Sequence, residues 1–161
     1  MKQRSDFVRR TRFYKKVDIY LKLWYRYHRL FFHRLICRGK KIIAFNTFIN
    51  VKYRLKLSEE TNPYLTFLAA MIKASPTIFL LPLKTGRFLH GVPAPITSKK
   101  KLTLAVSWVV TMSKNKSRTI SLKSLVNILI FSIYGYGPVI EKKKNTYAIG
   151  SKNRHLRRFF D

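Results

Sequence analysis

Residues 76–112 read PTIFLLPLKTGRFLHGVPAPITSKKKLTLAVSWVVTM, and two periodicities follow one another within them. TIFLLPL is short, β-branched and aromatic, and Val92 to Ile96 is a second extended stretch. KTGRFLHG lies between, with a glycine towards each end, which predicts a turn region joining two strands into a β-hairpin. The prolines argue against a central sheet strand, because proline cannot donate to the ladder. A two-stranded ribbon is marginal in water by itself, so this one must lean on helices or on a partner. From Ser98 the period lengthens: Leu102, Ala105, Val106, Val109 and Val110 recur at helical spacing. They predict a helix from Lys99 to about Met112 that Ser98 can cap.

Outward from this centre the chain reads as helices. Asn62 as N-cap with Pro63 at the first helical position opens a helix that continues from Tyr64 to Ala74. Before it, a helix from about Lys41 to Leu57 places Ile42, Phe45, Phe48, Ile49 and Tyr53 on or near one face. The first helix is expected from Val17 to about Cys37, ending at Gly39 as a left-handed C-cap. After Met112, SKNKSR reads as a basic loop, and a helix from about Ile120 to Tyr134 ends in YGYGP. EKKKNT reads as a basic turn, with a last helix from Thr146 to near Phe160. The expected fold is mainly α, with about six helices in one bundle-like domain over residues 18–161. The hairpin, at about 77–97, protrudes between the third and fourth helices, and residues 1–17 form a basic N-terminal extension.

The charge balance narrows the function. Thirty-four Lys and Arg oppose six Asp and Glu, a formal +28, and no acid lies between Glu60 and Glu141. Self-repulsion of that size disfavours the compact free state, so a polyanionic partner is expected, either nucleic acid or a membrane surface. At 47% hydrophobic residues the chain is no disordered basic tail. The single cysteine, Cys37, excludes an internal disulfide and a multi-cysteine metal site. The opening MKQRSDFVRRTRFYKK lacks the apolar segment of a secretory signal. It is Arg-rich as organellar presequences are, but Asp6, Asp18 and scarce Ser and Ala fit a retained nucleic-acid-binding extension better. Phe, Tyr, Met, Ile, Asn and Lys supply 65 of the 161 residues, the residues of AT-rich codons, which suits an organellar gene.

No catalytic or metal constellation is legible. Gly135-x-Gly137 starts like a dinucleotide fingerprint, but position 140 is Ile and a helix-ending turn explains the glycines. His28 and His33 lack the HExxH frame, and the carboxylates are scattered. Neither Tyr64–Leu83, interrupted by Lys73 and Pro76, nor Leu125–Ile140, with Asn127 and two glycines, supplies the ~20 apolar residues of a span. What remains are basic clusters expected at helix junctions: Arg38-Gly39-Lys40-Lys41, Lys99-Lys100-Lys101, Lys114 with Lys116 and Arg118, and Lys142-Lys143-Lys144. A single run is usually a solvated face, but four at element ends can build a cationic surface, to which helix N-termini add donors. Arg9, Arg10 and Arg12 extend it along the N-terminal arm, where Phe7, Phe13 and Tyr14 either stack on bases or cover apolar surface.

The order of these features resembles the universal small-subunit ribosomal protein S-seven family, in the manner of a divergent mitochondrial member. The resemblance covers about residues 20–160. It rests on the turn Arg38-Gly39-Lys40-Lys41, the Asn62-Pro63 helix start, and the glycine hairpin from Gly86 to Val92-Pro93. Leu102-Thr103-Leu104-Ala105 through Trp108-Val109-Val110 follows, then Gly135-x-Gly137, Val139-Ile140, Lys142-Lys143 and Asn153-Arg154. The resemblance implies a non-enzymatic protein that binds the 3′ (head) domain of small-subunit rRNA, nucleates head assembly and neighbours other small-subunit proteins in the mitochondrial matrix. It implies that Lys84, Gly86, Arg87 and His90 lie on the hairpin along the exit-site tRNA and mRNA path. Arg38, Lys40, Lys41, Lys99, Lys100, Lys101, Lys142, Lys143 and Arg154 then face rRNA, joined on charge by Lys114, Lys116 and Lys144. The chain departs from the family where Arg87 replaces a glycine, His90 an aromatic, and Leu81-Pro82-Leu83-Lys84 an arginine-rich strand. No cofactor, small-molecule substrate or membrane span is expected. The rival reading is a basic, membrane-associated organellar protein.

Overall fold

The computed structural model describes residues 21–59, 62–114 and 120–159; the N-terminal extension, with Arg9, Arg10 and Arg12, lies outside them, as does Lys116. Among these residues the order is α1 (21–35), α2 (Lys41–Glu59), α3 (Pro63–Ala74), β1 (Ile78–Thr85), β2 (Phe88–Pro95), α4 (Ser98–Met112), α5 (Leu122–Tyr134), α6 (Pro138–Lys152) and a 3-10 turn (Arg154–Phe159). This is the expected mainly α chain with its hairpin between the third and fourth helices.

Asn62 caps α3 as its type and position require, its side-chain oxygen accepting from the Tyr64 N–H at 3.0 Å with Pro63 behind it. The α4 stripe is also as expected: Leu102, Ala105, Val106, Val109 and Val110 are all buried, with Trp108 beside them. The core draws on all six helices, from Tyr27, Phe31 and Leu35 of α1 to Val139 of α6. α3 and α5 lie at its centre, each touching α2, α4 and α6.

Several expectations are corrected. α1 ends at residue 35, and Gly39 is no C-cap but half of a left-handed pair with Arg38 (φ 75° and 52°) that turns the chain into α2. α2 buries Ala44, Val51 and Leu55, whereas Ile42, Phe45, Ile49 and Tyr53 are exposed and Phe48 is half-buried. The helix carries two apolar stripes, and the one with the smaller residues faces α3 and α5. Thr97, not Ser98, occupies the N-cap of α4, without a side-chain cap bond. EKKKNT is not a turn: it lies inside α6, which starts at Pro138 rather than Thr146 and gives way to the 3-10 turn from Arg154. Proline at the first position, Glu141 in the first turn and three helix-favouring lysines explain that start.

The hairpin loop is also shorter than KTGRFLHG suggests. Antiparallel pairing runs from Ile78↔Pro95 to Thr85↔Phe88, leaving only Gly86-Arg87 as the turn. Positive φ at Gly86 alone of the two matches a II′ turn, whose backbone suits the twist of the strands. With only two strands both are edges, so Pro82, Pro93 and Pro95 cost no central ladder bond.

The ribbon is mounted on α6. A Cβ at Gly150 would stand 2.8 Å from Ile78 Cδ1 and 3.4 Å from Pro93 Cβ, so the glycine lets the hairpin sit against the helix backbone. The Thr77 N–H donates to the Tyr147 hydroxyl at 3.0 Å, and Asn153 Nδ2 donates to the Gly91 carbonyl at 3.0 Å. Gly91 faces Leu80 and Ile149 closely and therefore belongs to a strand rather than a loop.

Candidate nucleic-acid interface

Glu141 is the one acidic residue whose side chain is described, so the cations of the described residues have almost nothing within the chain to neutralise them. Their placement at helix starts is the telling feature. A helix N-terminus carries partial positive charge and ordinarily attracts Asp or Glu. α2, α3, α4 and α5 have no acid in their first turns. α2 starts on Lys41 directly after Lys40, α4 opens Ser98-Lys99-Lys100-Lys101, and α5 has Lys123 in its first turn. These helix ends place cations on cations, an arrangement that an external polyanion relieves.

The sequence-predicted residues fall into distinct groups. Lys99 and Lys100 are exposed beside the hairpin base, with Lys100 Nζ 5.8 Å from the Phe79 ring; Lys101 is half-buried. Arg154 is exposed and follows Asn153, which holds the Gly91 carbonyl. The ribbon thus has cations on α4 at its base and on the 3-10 turn beside its middle. At its far end Lys84, Gly86 and Arg87 are exposed, and Phe88 is 72% exposed with its ring 6.4 Å from that of half-buried His90. Arg38, Lys40 and Lys41 are exposed on the α1–α2 turn, and α2 touches α3 and α5 but not the hairpin, so this is a separate patch. Lys114 is exposed at the end of α4. Arg38 is the one described non-glycine residue with positive φ, a conformation costing about 1–2 kcal/mol outside glycine.

Lys142, Lys143 and Lys144 sit within the first turns of α6 and have different surroundings. Lys142 Nζ lies 5.6 Å over the Trp108 ring, Lys144 is exposed, and Lys143 Nζ donates to the Lys73 carbonyl at 2.8 Å. Lys73 in turn donates to the Ile133 carbonyl. Lys143 therefore ties α6 to the C-terminal end of α3, a role invisible in sequence because the partner is 70 residues away.

Sequence reasoning missed an aromatic cluster under the bundle. Lys52 Nζ stands 4.3 Å from the Phe48 ring, 5.0 Å from Tyr64 and 5.8 Å from Trp24. Desolvation lowers the Lys52 pKa. His28 packs against Trp24 and Phe67 at 4.3 and 4.5 Å, and its Nδ1–H donates to the Trp24 carbonyl at 2.9 Å. Burial, aided by the Lys52 charge and opposed by that hydrogen bond, lowers its pKa to about 4, so the ring is neutral and structural. The i, i+4 spacing of Trp24, His28 and the neighbouring aromatics was the available signal.

Nothing in the described residues offers chemistry of another kind. No group of three or more His, Cys, Asp or Glu among them could hold a metal ion. A groove of about 760 Å³ between α2 and α5 is lined by Tyr53, Arg54, Leu57, Lys123 and Asn127 among others, with no acid–base pair. No single described helix is long and apolar enough to cross a membrane, and α5 and α6, which together would be, are bent by 55° at the glycine turn.

Residues 2–154 match the family described as ribosomal protein S7p/S5e. The chain is 31% identical over 112 residues to the mouse small ribosomal subunit protein uS7m, an alignment covering 65% of this chain and 46% of the mouse protein. Against the Rickettsia bellii protein uS7 the identity is 23%, covering 80% and 79% of the two chains; against Petrotoga mobilis uS7 it is 26%, covering 80% and 83%. The chain thus spans under half of the mouse relative and about four-fifths of the bacterial ones. With acid-free helix starts, a mounted hairpin and a match over nearly its whole length, the chain belongs to the ribosomal protein S7p/S5e family, a family of structural, non-enzymatic ribosomal components.

Proposed function

We propose that this chain is a structural, rRNA-binding protein of the mitochondrial small ribosomal subunit. It binds the 3′ domain of small-subunit rRNA, nucleates assembly of the head, and carries its hairpin along the exit-site tRNA and mRNA path. The observation that carries this reading is the inverted charge of the helix starts, where Lys40, Lys41, Lys99, Lys100, Lys101 and Lys123 stand in place of carboxylates. RNA phosphates at those ends would accept hydrogen bonds from backbone N–H groups and lysines together. The mouse relative bears the name of a mitochondrial small-subunit protein, which supports the organellar placement. Neighbouring subunit proteins would cover what phosphate cannot, such as the exposed Ile42, Phe45, Ile49 and Leu57 along α2. The exposed Lys84, Gly86 and Arg87 would be the hairpin's contribution to the tRNA and mRNA path.

Salt titration of binding to a small-subunit 3′-domain rRNA fragment tests the core of this reading. Log affinity should fall linearly with log salt, by roughly 0.7 to 0.9 per neutralised phosphate. Replacing Lys99, Lys100 and Lys101 by Ala should reduce that slope by about 2 to 3 while leaving the helical signal unchanged. A flat response, or retention on carbonate-washed membranes after nuclease, would favour the membrane-associated alternative instead.

A further inference from the structure

The turn between α5 and α6 has a feature that phosphate binding does not use. α5 ends with Gly135 at φ 83°, its N–H bonded to the Ser132 carbonyl at 3.3 Å, while the Tyr136 N–H returns to the Phe131 carbonyl at 3.1 Å. This is a Schellman ending, and its usual apolar contact is present: the Phe131 and Tyr136 rings lie 5.0 Å apart at 32°. A Cβ at Gly137 would stand 3.0 Å from Phe131 Cβ, so the chain there runs close against the same residue.

Tyr134 goes beyond what that ending needs. Its ring lies 6.2 Å from Tyr136 and is stacked at 26°, so Tyr136 is shared by a tilted pair with Phe131 and a stacked pair with Tyr134. The three rings are 36%, 61% and 53% exposed for Phe131, Tyr134 and Tyr136. A helix C-terminus ordinarily repels phosphate, but Lys73 donates to the Ile133 carbonyl, placing an ammonium group beside the turn. Exposed aromatic faces with a cation next to them are what an unstacked base and its flanking phosphate require.

We infer that Tyr134 and Tyr136, backed by Phe131, form a stacking platform for an unpaired RNA base. The platform holds a nucleotide splayed out of an rRNA loop or bulge, with Lys73 near its phosphate. The rigid backbone of the turn presents the rings without loss of loop freedom on binding. This inference rests on the RNA-binding reading above and adds a contact that charge alone does not supply.

The test uses the full chain with two probes, a single-stranded RNA of about 12 nucleotides carrying iodouridine and a duplex RNA of the same sequence. Tyr134→Ala should weaken single-strand binding about 5- to 150-fold while duplex affinity and helical content stay at the parent's values. Tyr134→Phe should restore binding, Tyr134→Leu should not, and photocrosslinks should map to Tyr134 or Tyr136. Parent-like single-strand affinity of the Ala variant would overturn the platform, as would full rescue by Leu, which points to an apolar protein contact. If the parent chain binds neither RNA with salt dependence, the RNA-binding reading itself falls and the platform with it.

Discussion

Leu129, Phe31 and Met71 are sealed in a core to which all six helices contribute, whereas the hairpin meets the remainder along α6 and the 3-10 turn after it. The first region is held by apolar burial, at roughly 25 cal/mol per Å². The second depends on a glycine that admits close approach, a tyrosine hydroxyl and an asparagine amide. The shape of the bundle is therefore set by apolar packing, while the ribbon is positioned through α6 and the turn after it and has its far end exposed. α6 belongs to both regions: Val139 and Ile140 are buried in its first turn, and Tyr147 and Gly150 carry the ribbon about two and three turns later.

That asymmetry can be attacked from the bundle side first. Leu129→Ala should cost about 2 to 5 kcal/mol in urea unfolding and lower hydrogen-exchange protection of helices and hairpin together. Retained hairpin protection in an unfolded bundle would show that the ribbon does not depend on its mount. The next effect is a pH dependence. Below pH 6.5 the unfolded chain protonates His28, but the folded chain, with its pKa near 4, does not. Stability is therefore present above that window and lost as pH falls through it, by about 2 kcal/mol between about pH 7 and about pH 5. H28F should flatten that difference; an unchanged profile would assign the acid sensitivity to other groups. The smallest global effect is expected from Gly150→Leu, which should displace the ribbon for about 1 to 3 kcal/mol. Amide exchange should rise over Ile78–Pro95 and stay protected in α5, and equal protection in both would show that the mount tolerates bulk.

The sequence is legible where one physical cause acts alone. The α4 stripe could be read because its bulky residues are its buried ones, and Asn62-Pro63 because capping is local. α2 misleads because its larger apolar residues point away from the core, and only its neighbours α3 and α5 show which stripe is inside. EKKKNT resembles a turn because its run of charge masks the helix propensity of its lysines, and Gly91 resembles a loop residue because its reason, Leu80 and Ile149, lies across the fold. The cationic clusters were visible as composition. What each lysine does was not, since Lys143 and Lys52 find their partners only in three dimensions.

The lysine ties have a consequence for counterion stoichiometry. Lys143 is fastened to a backbone carbonyl, and Lys52 is drawn among three rings. In the proposed RNA complex, ammonium groups already committed in this way would bring few condensed ions off the RNA. The charge exchanged on binding would then be smaller than the formal +28, since part of the chain's cationic composition is internal scaffolding.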